Sequence, residues 1–171
     1  MISIKKAGIE DLALITNIAR ISFIESHGNS ASAEDINSYI SSGLTEIVIE
    51  AELKDAENIF HIIYFDGKAA GYSKIIFNKP YDLIQNKSIC KLERLYLLKE
   101  FYDHKLGLYL FNFLVDLSKK VNQQGIWLYV WTGNERAVKF YKRAGFEIIA
   151  NADFKISTNH ANPNYIMYLR Y

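Results

Sequence analysis

The fold of this chain is decided by residues 127–146, which read WLYVWTGNERAVKFYKRAGF. The run Ile126–Trp131, which begins one residue earlier, is nearly all apolar. Such a run is typical of a strand buried on both faces. Thr132-Gly133-Asn134 predicts a turn, and Glu135–Ala144 has the apolar spacing of a helix, which Gly145 ends. The stretch therefore predicts a strand that leads directly into a helix.

The residues upstream extend this unit. Ile89–Leu98 predicts a strand, and Lys105–Val121 carries the clearest helical stripe of the chain. A strand, a helix and a second strand in succession predict a parallel strand pair joined by a right-handed crossover. Before them, Ile59–Phe65 and Ala69–Phe77 flank Asp66-Gly67-Lys68, and an Asp-Gly pair between two such runs predicts an antiparallel hairpin. The sheet is therefore expected to be mixed.

The ends of the chain add further elements. The segment Thr45–Asn58 is ambiguous between strand and helix, and we interpret it as a short helix. The other predicted elements are a strand at Ile2–Lys5, helices at Asp11–Phe23 and from Ser32 to about Ser41, and closing strands at Phe146–Ile149 and Tyr165–Tyr171.

Composition limits the function classes. The chain has 171 residues, 50% of them hydrophobic and 23% charged, which predicts a single folded domain over residues 1–171. The formal net charge is only +1 and no long basic run occurs, so neither nucleic acid nor an anionic membrane is expected as a partner. No signal peptide or membrane-spanning stretch is predicted, which favours a cytoplasmic location.

A metal centre is not expected. Cys90 is the only cysteine, which excludes an intrachain disulfide and a site built from several thiolates. The four histidines are scattered without the spacing of metal ligands: His27, His61, His104 and His160.

Two stretches carry a family resemblance. Residues 92–111, LERLYLLKEFYDHKLGLYLF, resemble motif A of the GNAT N-acetyltransferases, and residues 127–146 resemble their motif B. The motif B pattern N-x-x-A-x-x-F-Y-x-x-x-G-F is matched by Asn134, Ala137, Phe140, Tyr141 and Gly145. Within this superfamily the sequence is most similar to the PaiA-type spermidine/spermine acetyltransferases. The resemblance implies an α/β (α+β) fold with a mixed, mostly antiparallel sheet, a central parallel strand pair and helices on both faces.

The resemblance also implies that acetyl-CoA is the co-substrate. Its pyrophosphate is expected at the N-terminus of the helix that starts near Lys105, and its pantetheine arm along the strand edge Leu95–Leu97. Of the family loop Q/R-x-x-G-x-G/A only the last glycine, Gly107, is present, and a plain helix start or core strand is the alternative interpretation. The residues implied to contact acetyl-CoA are Leu95, Tyr96, Leu97, Tyr102, Asp103, His104, Lys105, Leu106, Gly107, Leu108, Asn134, Ala137 and Tyr141.

Two residues are implied to be catalytic. Glu93 corresponds to the proposed base of the similar polyamine acetyltransferases, acting directly or through water, and Tyr141 to the acid that protonates the CoA thiolate. Strict strand alternation places Glu93 on one face with Leu95 and Leu97, where apolar neighbours are expected to raise its pKa. A strand-end salt bridge or solvent exposure for Glu93, and core packing for Tyr141, remain open.

The acceptor is expected to be a primary amine of a small molecule, with spermidine or spermine the leading candidates. In this fold the acceptor groove is lined by the first two helices and the last hairpin, so its carboxylates are predicted to be Glu25, Glu34, Asp35 and Asp153. Helix capping is the alternative role for such residues. Acetylation of a protein N-terminus or lysine, and a non-catalytic acyl-CoA-binding module, remain open. The sequence also leaves open whether the protein is a monomer or a homodimer.

Overall fold

A single seven-stranded sheet organises the chain, and the computed structural model describes residues Met1 to Tyr171. The strand order is β1-β2-β3-β4-β5-β7-β6, and only the β4–β5 pair is parallel. The strands are β1 Ile2–Lys6, β2 Asn58–Phe65, β3 Lys68–Ile76, β4 Cys90–Leu97, β5 Gly125–Trp131, β6 Glu147–Lys155 and β7 Ala161–Arg170. The predicted mixed, mostly antiparallel sheet is confirmed.

Helices cover both faces of this sheet. They are α1 Leu12–His27, α2 Ala33–Gly43, α3 Glu46–Lys54, α4 Leu106–Lys120 and α5 Glu135–Arg143. One hydrophobic cluster joins α1, α2 and α3 to the sheet, and a second joins α4 and α5 to the opposite face. The predicted short helix is confirmed as α3, which Thr45 caps by accepting a hydrogen bond from the Val48 amide.

The β2–β3 hairpin closes at the predicted turn. Asp66 and Gly67 both have positive φ, 47° and 77°, as a two-residue type I′ turn requires. Phe65 and Lys68 are the last paired residues on either side. The aspartate-glycine pair therefore sets the register of the first antiparallel strands.

The parallel strands β4 and β5 pair over a short distance only. Their paired residues are Cys90 with Ile126 and Lys91 with Trp127, at the start of both strands. Beyond that point the two strands diverge, although β4 continues to Leu97. The backbone of the later β4 residues is therefore left free on the β5 side, and a cleft opens between the strands.

A β-bulge at Glu93 corrects the predicted strand alternation. Lys74 pairs with Arg94 and Ile75 with Leu92, so Glu93 is an extra residue between them. Leu92 and Leu95 consequently pack into the same cluster although they are three positions apart. The expectation that Glu93 follows the alternation of Leu95 and Leu97 was wrong, because the bulge shifts the strand by one residue.

The last two strands are longer than predicted, since β6 extends to Lys155 and β7 begins at Ala161. Helix α4 begins one residue later than predicted. Lys105 lies just before it in the left-handed region, with φ of 57°, and occupies the position where the family loop has a glycine. No helix has the length and apolar composition that crossing a membrane requires.

Candidate active site

A cavity of about 1210 Å³ lies where β4 and β5 diverge. Its walls come from the two strands, the end of α1, the start of α4, helix α5 and the β6–β7 hairpin. Because the strands are unpaired here, the cavity extends from the α4–α5 side of the sheet toward the α1 side. It can therefore receive two molecules that approach from opposite faces.

The start of α4 forms one end of the cavity. Lys105, Gly107 and Leu108 line it, whereas the Leu106 side chain is fully buried in the core. The amide groups of Leu108 and Tyr109 bond to the Lys105 carbonyl, whereas those of Leu106 and Gly107 come too early in α4 to have an acceptor within the helix. Unpaired amides and the helix dipole favour an anion at this end.

Gly107 provides a test of whether a ligand fits here. A Cβ atom added at this glycine would approach only the Leu97 side chain, at an ordinary distance of 3.5 Å. The protein itself therefore does not require a glycine at this position. The absent side chain leaves space that belongs to the cavity, as close approach of a phosphate group to the helix amides requires.

Basic side chains surround the same end. The Arg136 guanidinium lies 3.5 Å from the centre of the Tyr102 ring and donates to the Tyr102 carbonyl at 3.2 Å. Arg136 thus connects the start of α5 to the 3₁₀ segment Lys99–His104 that precedes α4. The cations that line this region are Lys105, Arg136, Lys139 and Arg143. This charge suits a ligand with several phosphates.

Most of the predicted co-substrate contacts lie on this cavity. Leu95, Tyr96 and Leu97 line it from β4. The other predicted residues along its walls are Tyr102, Lys105, Gly107, Leu108, Asn134, Ala137 and Tyr141. Asn134 also caps α5, because its side-chain oxygen accepts from the Ala137 amide at 3.1 Å. Asp103 and His104 lie outside the lining, and the His104 ring stacks on Phe65 at 4.3 Å.

Glu93 lines the cavity in an unexpected charge environment. Its carboxylate lies 2.6 Å from the Lys91 ammonium. Burial raises the pKa of Glu93, but the opposing attraction of Lys91, and then of Lys74 and Arg94, leaves that pKa below its ordinary value of 4.5. The expectation of a raised pKa was wrong, because the bulge brings cations rather than apolar side chains to this carboxylate.

Tyr141 lines the cavity from α5. Its side chain is buried against Phe140 and Phe146, at ring-centre distances of 5.2 and 5.3 Å. Burial raises the pKa of its phenol, and no hydrogen bond or charge contributes to the shift. The hydroxyl therefore stays protonated at neutral pH and is free to donate a proton into the cavity.

Aromatic side chains form the opposite end of the cavity. His27, at the end of α1, stacks on Phe23 at 4.8 Å and approaches Trp131 at 5.7 Å and Tyr96 at 6.0 Å. His27 was not predicted as a site residue, because Tyr96 and Trp131 are distant from it in the sequence and meet it only in the folded chain. Tyr129 and Trp131 of β5 also line the cavity.

The predicted acceptor carboxylates are not brought together. Asp153 lines the cavity and takes part in no ion pair, whereas Glu25, Glu34 and Asp35 lie outside the lining. Glu25 accepts the Lys99 amide at 2.8 Å. Asp35 accepts the Ser32 hydroxyl at 2.6 Å, and bonds to Ser157 and Ser32 hold its pKa below the ordinary value. No group of three or more His, Cys, Asp or Glu side chains is arranged to hold a metal ion.

Comparison with known proteins agrees with this geometry. The sequence profile of the acetyltransferase (GNAT) family matches residues 14–146, which include the whole of β4, α4, β5 and α5. The chain belongs to the GNAT family. Members of this family are N-acetyltransferases that use acetyl-CoA as co-substrate.

Individual relatives of this GNAT chain cover most of its length. An uncharacterized N-acetyltransferase of Lactobacillus delbrueckii subsp. lactis is 29% identical over 84% of this chain and 83% of its own. Spermidine N(1)-acetyltransferase of Thermoplasma acidophilum is 29% identical over 86% of this chain and 89% of its own. The crystal structure of PaiA N-acetyltransferase from T. acidophilum, a complex with coenzyme A, superposes with a TM-score of 0.80 at 24% identity, covering 100% of this chain and 99% of that one.

Proposed function

We propose that this enzyme transfers the acetyl group of acetyl-CoA to a primary amine of a small polyamine such as spermidine or spermine. One observation carries the proposal. A single cavity connects the basic α4 end, where Arg136 and the free helix amides lie, to an aromatic end that contains Glu93 and Asp153. The spermidine acetyltransferase among the relatives supports a polyamine as acceptor.

The residues of the basic end fit acetyl-CoA. Gly107 leaves space beside the first turn of α4, and the cations around it match the charge of the phosphates. The free β4 edge at Leu95–Leu97 can pair with the amides of a pantetheine arm. Bound acetyl-CoA supplies the activated thioester, and the chain supplies position, proton transfer and exclusion of water.

Glu93 is proposed as the group that receives the proton of the acceptor. A polyamine arrives as an ammonium ion and must lose a proton before its nitrogen can attack the thioester carbon. The low pKa of Glu93 keeps its carboxylate ionised at neutral pH. The charge can therefore attract the ammonium, and the carboxylate receives its proton only transiently, directly or through water, before that proton passes to solvent.

Tyr141 is proposed as the acid of the second half of the reaction. As the new C–N bond forms and the C–S bond breaks, the departing sulfur gains a negative charge. The Tyr141 hydroxyl, protonated and free of protein partners, can donate its proton to that sulfur. The acylated nitrogen loses its second proton to solvent and the tyrosinate is reprotonated from solvent, so the net products are the N-acetylamine, free CoA and one proton.

The charge at the acceptor end supports a second cationic group on the substrate. Lys91 is paired with Glu93, and Arg94 is paired with Glu52 through contacts of 2.5 and 2.9 Å. These two cations therefore have carboxylate partners, whereas Lys155, which also lines the cavity, pairs with no carboxylate. Asp153 has no ion-pair partner, so its carboxylate is available to a distant ammonium of a polyamine.

Release of CoA thiol from acetyl-CoA tests the proposal. The acceptors are spermidine, spermine, a monoamine of similar length and an unstructured peptide, and the variants are Glu93→Gln and Tyr141→Phe. We expect release with the polyamines and a loss of about 100-fold or more in kcat for each variant. The matched controls Glu100→Gln and Tyr109→Phe, exposed positions outside the cavity, are expected to keep full activity.

Each other result has a distinct meaning. Release with the peptide but not with the polyamines would identify a protein acetyltransferase instead. Tight acetyl-CoA binding without release for any acceptor would identify a non-catalytic acyl-CoA-binding module. Full activity of Glu93→Gln would show that this carboxylate is not the base.

A further inference from the structure

The hydrogen bonds of Ser26 favour one tautomer of His27. The Ser26 Oγ lies 2.7 Å from the Ser22 carbonyl oxygen and 3.3 Å from that of Phe23. A carbonyl oxygen can only accept, so the single hydroxyl proton of Ser26 points to the backbone. The His27 Nδ1 lies 2.7 Å from the same Oγ, and while the backbone holds the hydroxyl proton, Nδ1 is the donor of that bond. This arrangement favours the tautomer of His27 with the proton on Nδ1.

The other nitrogen of His27 is consequently a free acceptor. Nε2 carries a lone pair, makes no hydrogen bond within the protein, and belongs to a side chain that lines the cavity. Burial lowers the pKa of His27 to about 4, so the ring is neutral at physiological pH. The ring is held in place by stacking on Phe23, at 4.8 Å and 6° between planes. His27 thus presents a preorganised acceptor to a ligand with an N–H or O–H group.

A second free acceptor lies at the same end. Asn164 lines the cavity and is only 6% exposed, yet its Oδ1 has no hydrogen-bond partner in the protein. Asn164 is paired with Trp131 across β5 and β7, and opposite residues of an antiparallel pair project on the same face. Trp131 is the residue that the His27 ring approaches at 5.7 Å. Both free acceptors therefore lie beside Trp131.

We infer that His27 Nε2 and Asn164 Oδ1 accept the two N–H bonds of the neutral acceptor amine. The inference rests on the proposed function and defines its substrate class as primary amines. A neutral primary amine has two N–H donors and one lone pair, so two acceptors use both donors and leave the lone pair free to attack the thioester carbon. A secondary amine has one N–H and leaves one acceptor buried without a partner, which is costly. His27 and Asn164 thereby orient the nucleophile and discriminate against N-alkylated amines.

The tautomer is measured directly in the wild-type protein. The ¹⁵N shifts of the two His27 ring nitrogens distinguish a protonated nitrogen from one with a lone pair, without any need for turnover. We expect the proton on Nδ1 at pH 7. A proton on Nε2 would overturn the inference, because that nitrogen could then no longer accept.

Kinetics with paired variants test the contact with the amine. His27→Asn retains a polar group near Nδ1 but none near Nε2, whereas His27→Gln extends an amide oxygen toward the Nε2 position. We expect His27→Asn and Asn164→Leu each to raise KM for the amine about tenfold, and His27→Gln to recover most of the loss. The KM for acetyl-CoA is expected to stay unchanged. The wild-type preference for the primary amine over its N-methyl analogue is expected to shrink in His27→Asn and Asn164→Leu.

The outcomes separate the two proposals. If the wild type acetylates no amine, the proposed function fails, and this inference fails with it. If the wild type is active but His27→Asn keeps both the KM for the amine and the preference over the N-methyl analogue, only the inference fails. Thermal unfolding of each variant shows whether a loss of activity is simply a loss of folded protein.

Discussion

The Lys91 ammonium lies 2.6 Å from the Glu93 carboxylate, two residues along the same strand. The same ammonium lies over the Trp127 and Tyr129 rings, at 5.1 and 5.0 Å from their centres. Lys91 therefore occupies a place where a carboxylate and two aromatic faces bind a cation. The pair determines how the proposed base titrates.

We expect Glu93 to stay ionised from pH 5 to 9 in the wild type. Removing the charge in Lys91→Met should raise the pKa of the Glu93 carboxyl. Burial raises this pKa, and in the variant only Lys74 and Arg94 would still lower it. The ¹³C titration of the Glu93 carboxyl measures this, together with the acid limb of kcat/KM. Lys155→Met is the matched control, since Lys155 lines the same cavity but pairs with no carboxylate. An unchanged midpoint in Lys91→Met would contradict the assigned cause.

Arg136→Ala should weaken acetyl-CoA binding without changing kcat. The guanidinium is exposed at the basic end of the cavity, so we expect KM for acetyl-CoA to rise roughly fivefold at low salt, equivalent to about 1 kcal/mol. The difference should shrink as salt screens the phosphates. Lys142→Ala, on the same helix but outside the cavity lining, should have little effect. Equal effects of the two variants would point to general charge rather than a contact.

Gly107→Ala should separate stability from co-substrate binding. Glycine costs about 1 kcal/mol relative to alanine inside a helix, and the added Cβ meets only Leu97 at 3.5 Å. We therefore expect unfolding free energy to stay equal or rise, while KM for acetyl-CoA increases because the methyl group occupies the cavity. Urea unfolding and isothermal titration with CoA check the two parts. A clear loss of stability would mean that the glycine serves the fold.

Glu52 should be the most sensitive charged residue for stability. Its carboxylate is the counterion of both Arg94 and Lys74, at 2.5 and 3.0 Å, and both cations are largely buried. Glu52→Gln should cost about 3–5 kcal/mol, because it leaves two buried cations without a full partner. Glu50→Gln, which breaks the exposed pair with Lys54 on the same helix, should cost less than about 0.5 kcal/mol. Chemical unfolding of both variants measures these two changes in the free energy of unfolding.

Acid should destabilise the folded state through two imidazoles. Burial lowers the pKa of His27 and of His61 to about 4 from 6.5, with Lys6 contributing at His61. Between pH 4 and 6.5 these two histidines are protonated in the unfolded chain but neutral in the folded chain. Stability therefore falls as pH drops from 6.5 toward 4, by about 1.4 kcal/mol per pH unit for each imidazole once it is protonated in the unfolded chain. His61→Leu should remove about half of this slope in urea unfolding between pH 6 and 4.5.

Much of the fold follows from local pattern. The apolar run before Asn134, the stripe of α4 and the Asp66-Gly67 turn each specify an element from neighbouring residues alone. The extent of β6 and β7 does not, because residues 150–155 and 161–164 become strands only by pairing with each other. The bulge at Glu93 is likewise invisible in the sequence, since it is a mismatch between β4 and β3.

The sequence by itself determined the family, the sheet class and the placing of Tyr141, Asn134 and Gly107 beside one cavity, because motif spacing and helical period are local properties. Only the tertiary structure decided the environment of Glu93, the contact of Arg136 with Tyr102 and the presence of His27 and Asn164 in the cavity lining. These depend on which distant side chains meet across a bulge, a cleft or a strand pair. The pKa of Glu93 and the free acceptor atoms of His27 and Asn164 depend on the side chains that are close in space, several of which are distant in the sequence.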